Sequence, residues 1–260
     1  MAIKNNIVKK EGNDLKAYIN KMQGEIAKAL PKVMTPERFT RIALSAVSNT
    51  PKLADCTPQS FLGAMMNAAQ LGLEPNTPLG QAYLIPYGNQ VQFQIGAKGL
   101  VDLAHRAGTN IYSHVVYEND EFTYNLGLEP NLSHVPALAN RGKPIAYYAV
   151  WKNKENYGFE VMSHEDVLQH AKKYSKTYGS GPWQTAFEEM AKKTVIKQAL
   201  KYAPLSSEFA MQITADESIK SNVSDDMGSV PNEFYDVEIK EHSENKEVTT
   251  TYAEPQESLI

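Results

Sequence analysis

Apolar positions recur every three to four residues between about 13 and 49, a helical period with breaks expected near Pro31 and Pro36. A second helical stretch, TPQSFLGAMMNAAQLG at 57–72, has Thr57 in the N-cap position, Pro58 as the first helical residue and Gly72 at its end. The period then changes. GQAYLIPY and VQFQIG read as strands joined by Gly88-Asn89, two residues that tolerate positive φ, which predicts a β-hairpin. Residues 97–107 return to helical spacing and close at Gly108. Strand-like runs follow at 111–117, 145–151 and 157–162, the last two separated by the polar turn KNKEN. Two more helices are expected, about 163–174 behind Ser163 and 184–202 ahead of Pro204. Helices first, then hairpins mixed with helices, predict an α+β fold: N-terminal helices, a β-hairpin and a small antiparallel sheet packed with helices.

From about 221 the pattern fades into polar residues without periodicity, which predicts a disordered tail. Charge sharpens the boundary. The chain of 260 residues carries a formal net charge of −4, but the last forty residues hold ten acids against Lys240 and Lys246, so the body before them is mildly basic. A basic body favours a polyanionic partner. A single cysteine, Cys56, rules out an intramolecular disulfide and a Cys-rich zinc site, and fits a reducing compartment. The polar first residues lack the apolar core of a signal peptide, and no run approaches the length of a membrane span, so a soluble cytoplasmic protein is expected.

Enzymatic motifs are weak. The turn Gly96-Ala97-Lys98-Gly99 follows a strand and opens a helix, an arrangement that can hold a phosphate. It matches neither GxxxxGK[ST] nor GxGxxG, and no Ser or Thr follows to hold magnesium. His164 and His170 lie six apart, about 240° around a helix, so they share no face. The acidic run YENDEF, with Glu118, Asp120 and Glu121, has the oxygen ligands for a hard cation, and leaves open a divalent-metal nuclease. A solvated turn is the simpler reading.

Basic residues speak more clearly. Lys193, Lys197 and Lys201 are spaced by four and form one helical stripe, while Phe187, Ala191, Val195, Ala199 and Tyr202 form an apolar stripe about 140° away, widened by Ile196 and Leu200. Lys197 and Lys201 have no acid three or four residues away, so an anion across the stripe would relieve their repulsion. Upstream, Lys172, Lys173 and Lys176 alternate with Tyr174, Tyr178 and Trp183 around Gly179-Ser180-Gly181. Lysines that track a backbone and rings that stack on bases suit single-stranded nucleic acid, at about 1–3 kcal/mol per stacked base. The same lysine face meeting an acidic protein partner, in a non-catalytic scaffold module, is the alternative.

LGLEPNTPLGQAYLIPYGNQVQFQIGAKGLVDLAHRAG at 71–108 and MAKKTVIKQALKYAPLS at 190–206 resemble the two characteristic blocks of the RecT-family phage recombination proteins, with similarity over roughly 30–215. The resemblance implies an ATP-independent protein that binds and anneals single-stranded DNA, with no nucleotide cofactor and no indicated need for magnesium. It implies rings or helical filaments around a basic groove that holds single strands and the annealed duplex. It also implies a phage 5′→3′ exonuclease partner, with a host single-strand-binding protein as a further contact. The organisation expected is an N-terminal helical, oligomerising segment (1–30), an annealing core (31–215) and an acidic tail (216–260). DNA contacts are expected from Lys98, Arg106, Lys143, Lys172, Lys173, Lys176, Trp183, Lys192, Lys193, Lys197 and Lys201. Tyr83, Tyr87, Phe93, Tyr174 and Tyr178 are candidates for stacking or groove shaping. Lys98 and Arg106 lie about 80° apart around one helix, so one extended backbone could meet both.

Overall fold

The computed structural model describes residues 11–30, 34–175 and 178–205, with Ile213, Asp216, Lys220, Val230 and Pro231 beyond them. Three helices come first: α1 (Glu11–Lys21), α2 (Gln23–Ala29) and α3 (Pro36–Asn49). Pro36 sits at the start of α3 behind Thr35, whose hydroxyl accepts from the Arg38 amide at 3.3 Å and satisfies one orphan donor. A 3-10 turn at Pro51–Asp55 leads to α4 (Pro58–Gln70).

Helix α4 is buried at every position from Ser60 to Ala69, which its run of small and apolar residues allows. Thr57 occupies the expected N-cap position, but its hydroxyl donates to Ser60 Oγ at 2.8 Å rather than capping an amide. Its own amide donates to Asn89 O at 2.7 Å and ties the helix start to the next hairpin turn. That hairpin pairs β1 (Ala82–Tyr87) with β2 (Gln90–Ile95), from Ala82 opposite Ile95 to Tyr87 opposite Gln90. Alternation sends Val91, Phe93 and Ile95 inward, and α4 packs across both strands.

Gly96 and Gly99 flank the start of α5 (Ala97–Arg106). A Cβ on Gly96 would lie 2.1 Å from Gly80 O, and one on Gly99 2.1 Å from Gln81 O. The two glycines therefore let the 80–81 backbone press against the strand–helix junction, a packing role rather than a phosphate cradle.

The second half is a three-stranded antiparallel sheet in the order β3–β6–β7, built from β3 (Asn110–Tyr117), β6 (Pro144–Lys152) and β7 (Tyr157–Ser163). A separate hairpin, β4 (Glu121–Asn125) with β5 (Asn131–Val135), intervenes. Its residues are mostly exposed, so no apolar alternation announces it. Helix α6 (His164–Tyr174) starts with a full capping box between Ser163 and Asp166. The expected helix over 184–202 is instead two: α7 (Pro182–Thr185) and α8 (Phe187–Leu200), parted at Ala186 with φ −147° and ψ 49°. Helix α8 lies across β6, flanked by β3 and β7, and buries Ala191, Val195, Ile196, Ala199 and Leu200. Tyr202 falls beyond its end and is 75% exposed, so it leaves the apolar stripe.

Asp216, Lys220 and Val230 are all buried. Lys220 packs so closely on α4 that a Cβ on Gly63 would lie 2.8 Å from its carbonyl oxygen. The body thus draws contacts from beyond 215; the remainder of the predicted tail, and residues 1–10, lie outside the described residues. Gly99→Ala should destabilise the fold by about 1–3 kcal/mol through backbone displacement. Gly24→Ala, in exposed α2 with nothing within 4 Å of the added Cβ, should stabilise it by up to ~1 kcal/mol; denaturant melts of the two variants check both signs.

Candidate nucleic-acid interface

The edge strand β3 borders a polar cleft of about 250 Å³, lined by Ser113, His114, Tyr117, His134, Arg141, Glu188 and Lys192 among others. Asp120 holds it together from behind. Its side chain has no exposed surface, so its charge and lone pairs must be met inside the protein. Arg141 does most of this, with Nε 2.9 Å from Oδ1 and Nη2 2.5 Å from Oδ2. The amides of Tyr117 and Ala137 donate to it at 2.9 Å each, and His134 Nε2 lies 3.0 Å away. These partners hold the Asp120 carboxyl far below the usual carboxylate range, with Arg141 the largest cause.

Arg141 also lies over the Tyr117 ring, 4.2 Å from its centroid, and Tyr117 donates its hydroxyl proton to Glu188 Oε2 at 3.1 Å. The other ring nitrogen of His134 is 3.1 Å from Tyr148 Oη, and Phe122 stacks on Tyr148 at 5.6 Å. The hairpin β4–β5 is thereby fastened to the sheet face. Burial pushes the His114 imidazole below its ordinary value, helped by the charges of His134, Lys192 and Arg141. A proton is disfavoured there first because burial strips water from the ring, and second because Lys192 and Arg141 lie near it.

The expected contact residues scatter. Lys192 lines the cleft and pairs with Glu189. Lys143 is exposed beside it, its amide bonded to Glu118 Oε2 at 3.0 Å. Lys98 is exposed on the first turn of α5. Arg106 donates to Leu71 O at 2.6 Å and Gly72 O at 3.3 Å and pairs with Asp102, so it caps the end of α4. Lys172 and Lys173 are exposed in the last turn of α6, where Lys173 Nζ sits 5.2 Å from the ring centroid of Tyr174, itself 63% exposed. Lys201 is exposed; burial pushes the Glu160 carboxyl above its ordinary value, and the Lys201 charge only partly offsets this. Tyr83 is 42% exposed, Tyr87 half-buried, and Tyr178 packs against the core. Lys176 lies outside the described residues.

Several expectations need correction. Phe93 and Trp183 are core residues: β2 alternation turns Phe93 inward, and Trp183 packs edge-on against Phe187 at 5.3 Å. Neither offers a face to a base. Lys193 and Lys197 do not line an open face. Lys197 Nζ lies 2.7 Å and Lys193 Nζ 3.8 Å from Asp216 Oδ2, while Asp216 Oδ1 accepts the Ile95 amide at 2.7 Å. The acid that the helix's own sequence lacks comes from outside it. The acidic run YENDEF is committed too, with Asp120 saturated and Glu118 taken by the Lys143 amide. Among the described residues no group of three or more His, Cys, Asp or Glu is placed to hold a metal ion. Cys56 is buried and its thiol faces Lys52 O and Gln90 O, with burial raising its pKa, so it is no nucleophile. The sequence reading missed His114, His134, Arg141 and Asp216. None has a local spacing signal, since Asp120 and Arg141 meet across 21 positions.

The fold and cleft define an α+β protein with a polar cleft, lined by His114, Arg141, Glu188 and Lys192 among others, at a sheet edge. Residues 37–231 match the RecT family model, and the chain belongs to the RecT family, whose members act in DNA recombination and single-strand annealing. It is 39% identical over 221 residues to Protein RecT of Escherichia coli strain K12, covering 80% of this chain and 81% of that one. It is also 27% identical over 269 residues to YqaK, an uncharacterized protein of Bacillus subtilis strain 168, covering 98% and 93% respectively. Among the described residues no helix is long and apolar enough to cross a membrane.

Replacing both Lys193 and Lys197 by Ala should cost about 3 kcal/mol or more, because Asp216 is left buried and uncompensated. Adding Asp216→Asn should recover much of the loss; urea melts of the double and triple variants measure it.

Proposed function

We propose that this protein binds single-stranded DNA and anneals complementary strands without ATP, in phage homologous recombination within the bacterial cytoplasm. Membership of the RecT family across 37–231 carries this reading. The cleft at the β3 edge supports it, because it is lined by the Lys192 ammonium and the Arg141 guanidinium, with exposed Lys143 two residues along the chain from that arginine. Backbone phosphates meet Lys143 and Lys192 first, with Lys98, Lys201 and the Lys172–Lys173–Tyr174 cluster as further contacts. A 5′→3′ exonuclease supplies the single strands, and assembly of several copies aligns them in register. A host single-strand-binding protein meets the complex.

The mechanism is physical. Two strands repel one another, and cationic side chains along a shared surface offset that repulsion while leaving base edges free. Base pairing then selects the sequence and supplies the driving energy, about 1.4 kcal/mol per stacked step. No covalent chemistry is required of the protein, and no nucleotide hydrolysis drives the step. The metal-nuclease reading finds no support in an Asp120 already saturated by Arg141, and a scaffold role would leave the annealing assay silent.

Purified protein mixed with complementary labelled strands should anneal them without ATP, with or without magnesium, and without degradation. Lys143→Ala with Lys192→Ala should weaken single-strand binding equally for all sequences and reduce the salt slope by about 0.7 per lost contact. An unchanged slope in the folded variant removes the cleft from the DNA path. Burial first, and neighbouring positive charges second, hold the His114 pKa down; a phosphate beside the ring would favour its protonated form, so binding takes up a proton. Affinity at constant ionic strength should therefore rise as pH falls through and below the ordinary imidazole value of about 6.5, and this rise should shrink in His114→Gln.

A further inference from the structure

The hexapeptide LGLEPN occurs twice, at 71–76 and again at 126–131. The first copy is built into the body. Leu71 and Leu73 are buried, Gly72 takes φ +63°, and Glu74 pairs with Arg38 on α3. The second copy forms the tip of the β4–β5 hairpin. There Leu126 is 72% and Leu128 104% exposed, Gly127 takes φ +128°, and Glu129 is exposed. Nothing among the described residues covers these two leucines. Neighbouring leucines this exposed at the end of a projecting two-stranded ribbon call for a partner surface.

The same molecule offers one. A cavity of about 390 Å³ lies between α3 and the 74–77 loop, lined by Arg38, Arg41, Ile42, Ser45, Glu74, Pro75 and Thr77. Exposed Leu79, in the tight turn closed by Gly80 N donating to Thr77 O, adjoins it. Two arginines face one acid here. Arg38 is taken by Glu74, while exposed Arg41, nearly one helical turn along, has no partner among the described residues. The tip, by contrast, carries Glu129 as its only charge between Asn125 and Leu132. Within one chain α3 already receives the glutamate of one LGLEPN segment through Arg38, and Arg41 presents the same guanidinium chemistry to a second.

We infer that the β4–β5 tip of one copy docks in the α3 cavity of a second copy, Leu126 and Leu128 against Ile42, Pro75 and the arginine stems, and Glu129 on Arg41. Arginine stems accept apolar side chains while keeping their heads for the carboxylate. Tip and cavity are different surfaces, so the contact is heterologous and each copy can give a tip to one neighbour and a cavity to another. The assembly that follows is a ring or an open helix. This deepens the proposed function by naming the contact through which copies align on DNA.

Sedimentation velocity on the full chain without DNA tests it. The natural protein should associate with rising concentration. Leu126→Ser with Leu128→Ser, Glu129→Arg alone, and Arg41→Glu alone should each weaken association at least tenfold with circular dichroism unchanged. Glu129→Arg combined with Arg41→Glu in one chain should restore association by swapping the charges. A mixture of the Leu126→Ser/Leu128→Ser and Arg41→Glu chains should stop at dimers, because one complementary pair of surfaces survives. A monomeric natural protein, single variants that associate normally, or a charge swap without recovery each overturn the inference. Binding of a short oligonucleotide, read by anisotropy, keeps the two proposals apart. The tip variant should bind it as the natural protein does; weakened oligonucleotide binding with unchanged association makes the tip a DNA contact and overturns the docking. An absence of DNA binding by the natural protein overturns the proposed function while leaving the sedimentation result to stand or fall by itself.

Discussion

A carboxylate with no exposed surface is tolerated only where its charge is matched and its lone pairs are filled, and Asp120 is such a group at the end of β3. Arg141 must return to it across 21 positions, two amides must converge on it, and His134 must turn a ring nitrogen toward it. Those demands close the loop between β5 and β6 over the end of β3 and hold the β4–β5 hairpin against Tyr148. The cleft is what remains in front. Because Arg141 gives its fork to Asp120 and its plane to Tyr117, the outward-facing charge rests on Lys192, the neighbouring Lys143 and, at lower pH, His114.

Helix α8 connects this cleft to the rest of the body. Successive residues on a helix are about 100° apart, so Lys192 reaches the cleft while Lys193 turns inside toward Asp216. Asp216 repeats the logic of Asp120: a buried carboxylate satisfied by two lysines and one amide, here the last amide of β2. It ties the first hairpin and α8 together through residue 216. The lysines with the most regular spacing are therefore partly structural, and their less regular neighbour is the one that meets the cleft.

Much of the fold was legible because it follows local rules. Pro36 and Pro58 begin helices, Gly88-Asn89 turns a hairpin, Ser163 and Asp166 cap α6, and the alternation of Val91, Phe93 and Ile95 orients β2. The same rules failed where burial is set at long range. Hairpin β4–β5 has too few buried positions to show an apolar alternation, and the rings of Trp183, expected as a DNA contact, and of Phe93, expected to stack or shape the groove, lie in the core. Of the residues at or near the cleft, Lys192 and Lys143 were already among the expected DNA contacts. His114, His134 and Arg141 were not, since each matters through a partner distant in sequence.

The family, the α+β class and the positions of most helices and strands could be read along the chain alone, because propensity, capping and apolar patterning act over a few residues. Only the tertiary structure decided which basic side chains are free to meet an anion. A lysine's neighbours along the helix are visible in the sequence, but the acid that pairs with Lys193 and Lys197 arrives from residue 216, and the arginine that pairs with Asp120 from residue 141. Charge compensation inside a protein depends on distance in space and on exclusion of water, and neither is written in the spacing of residues along the chain.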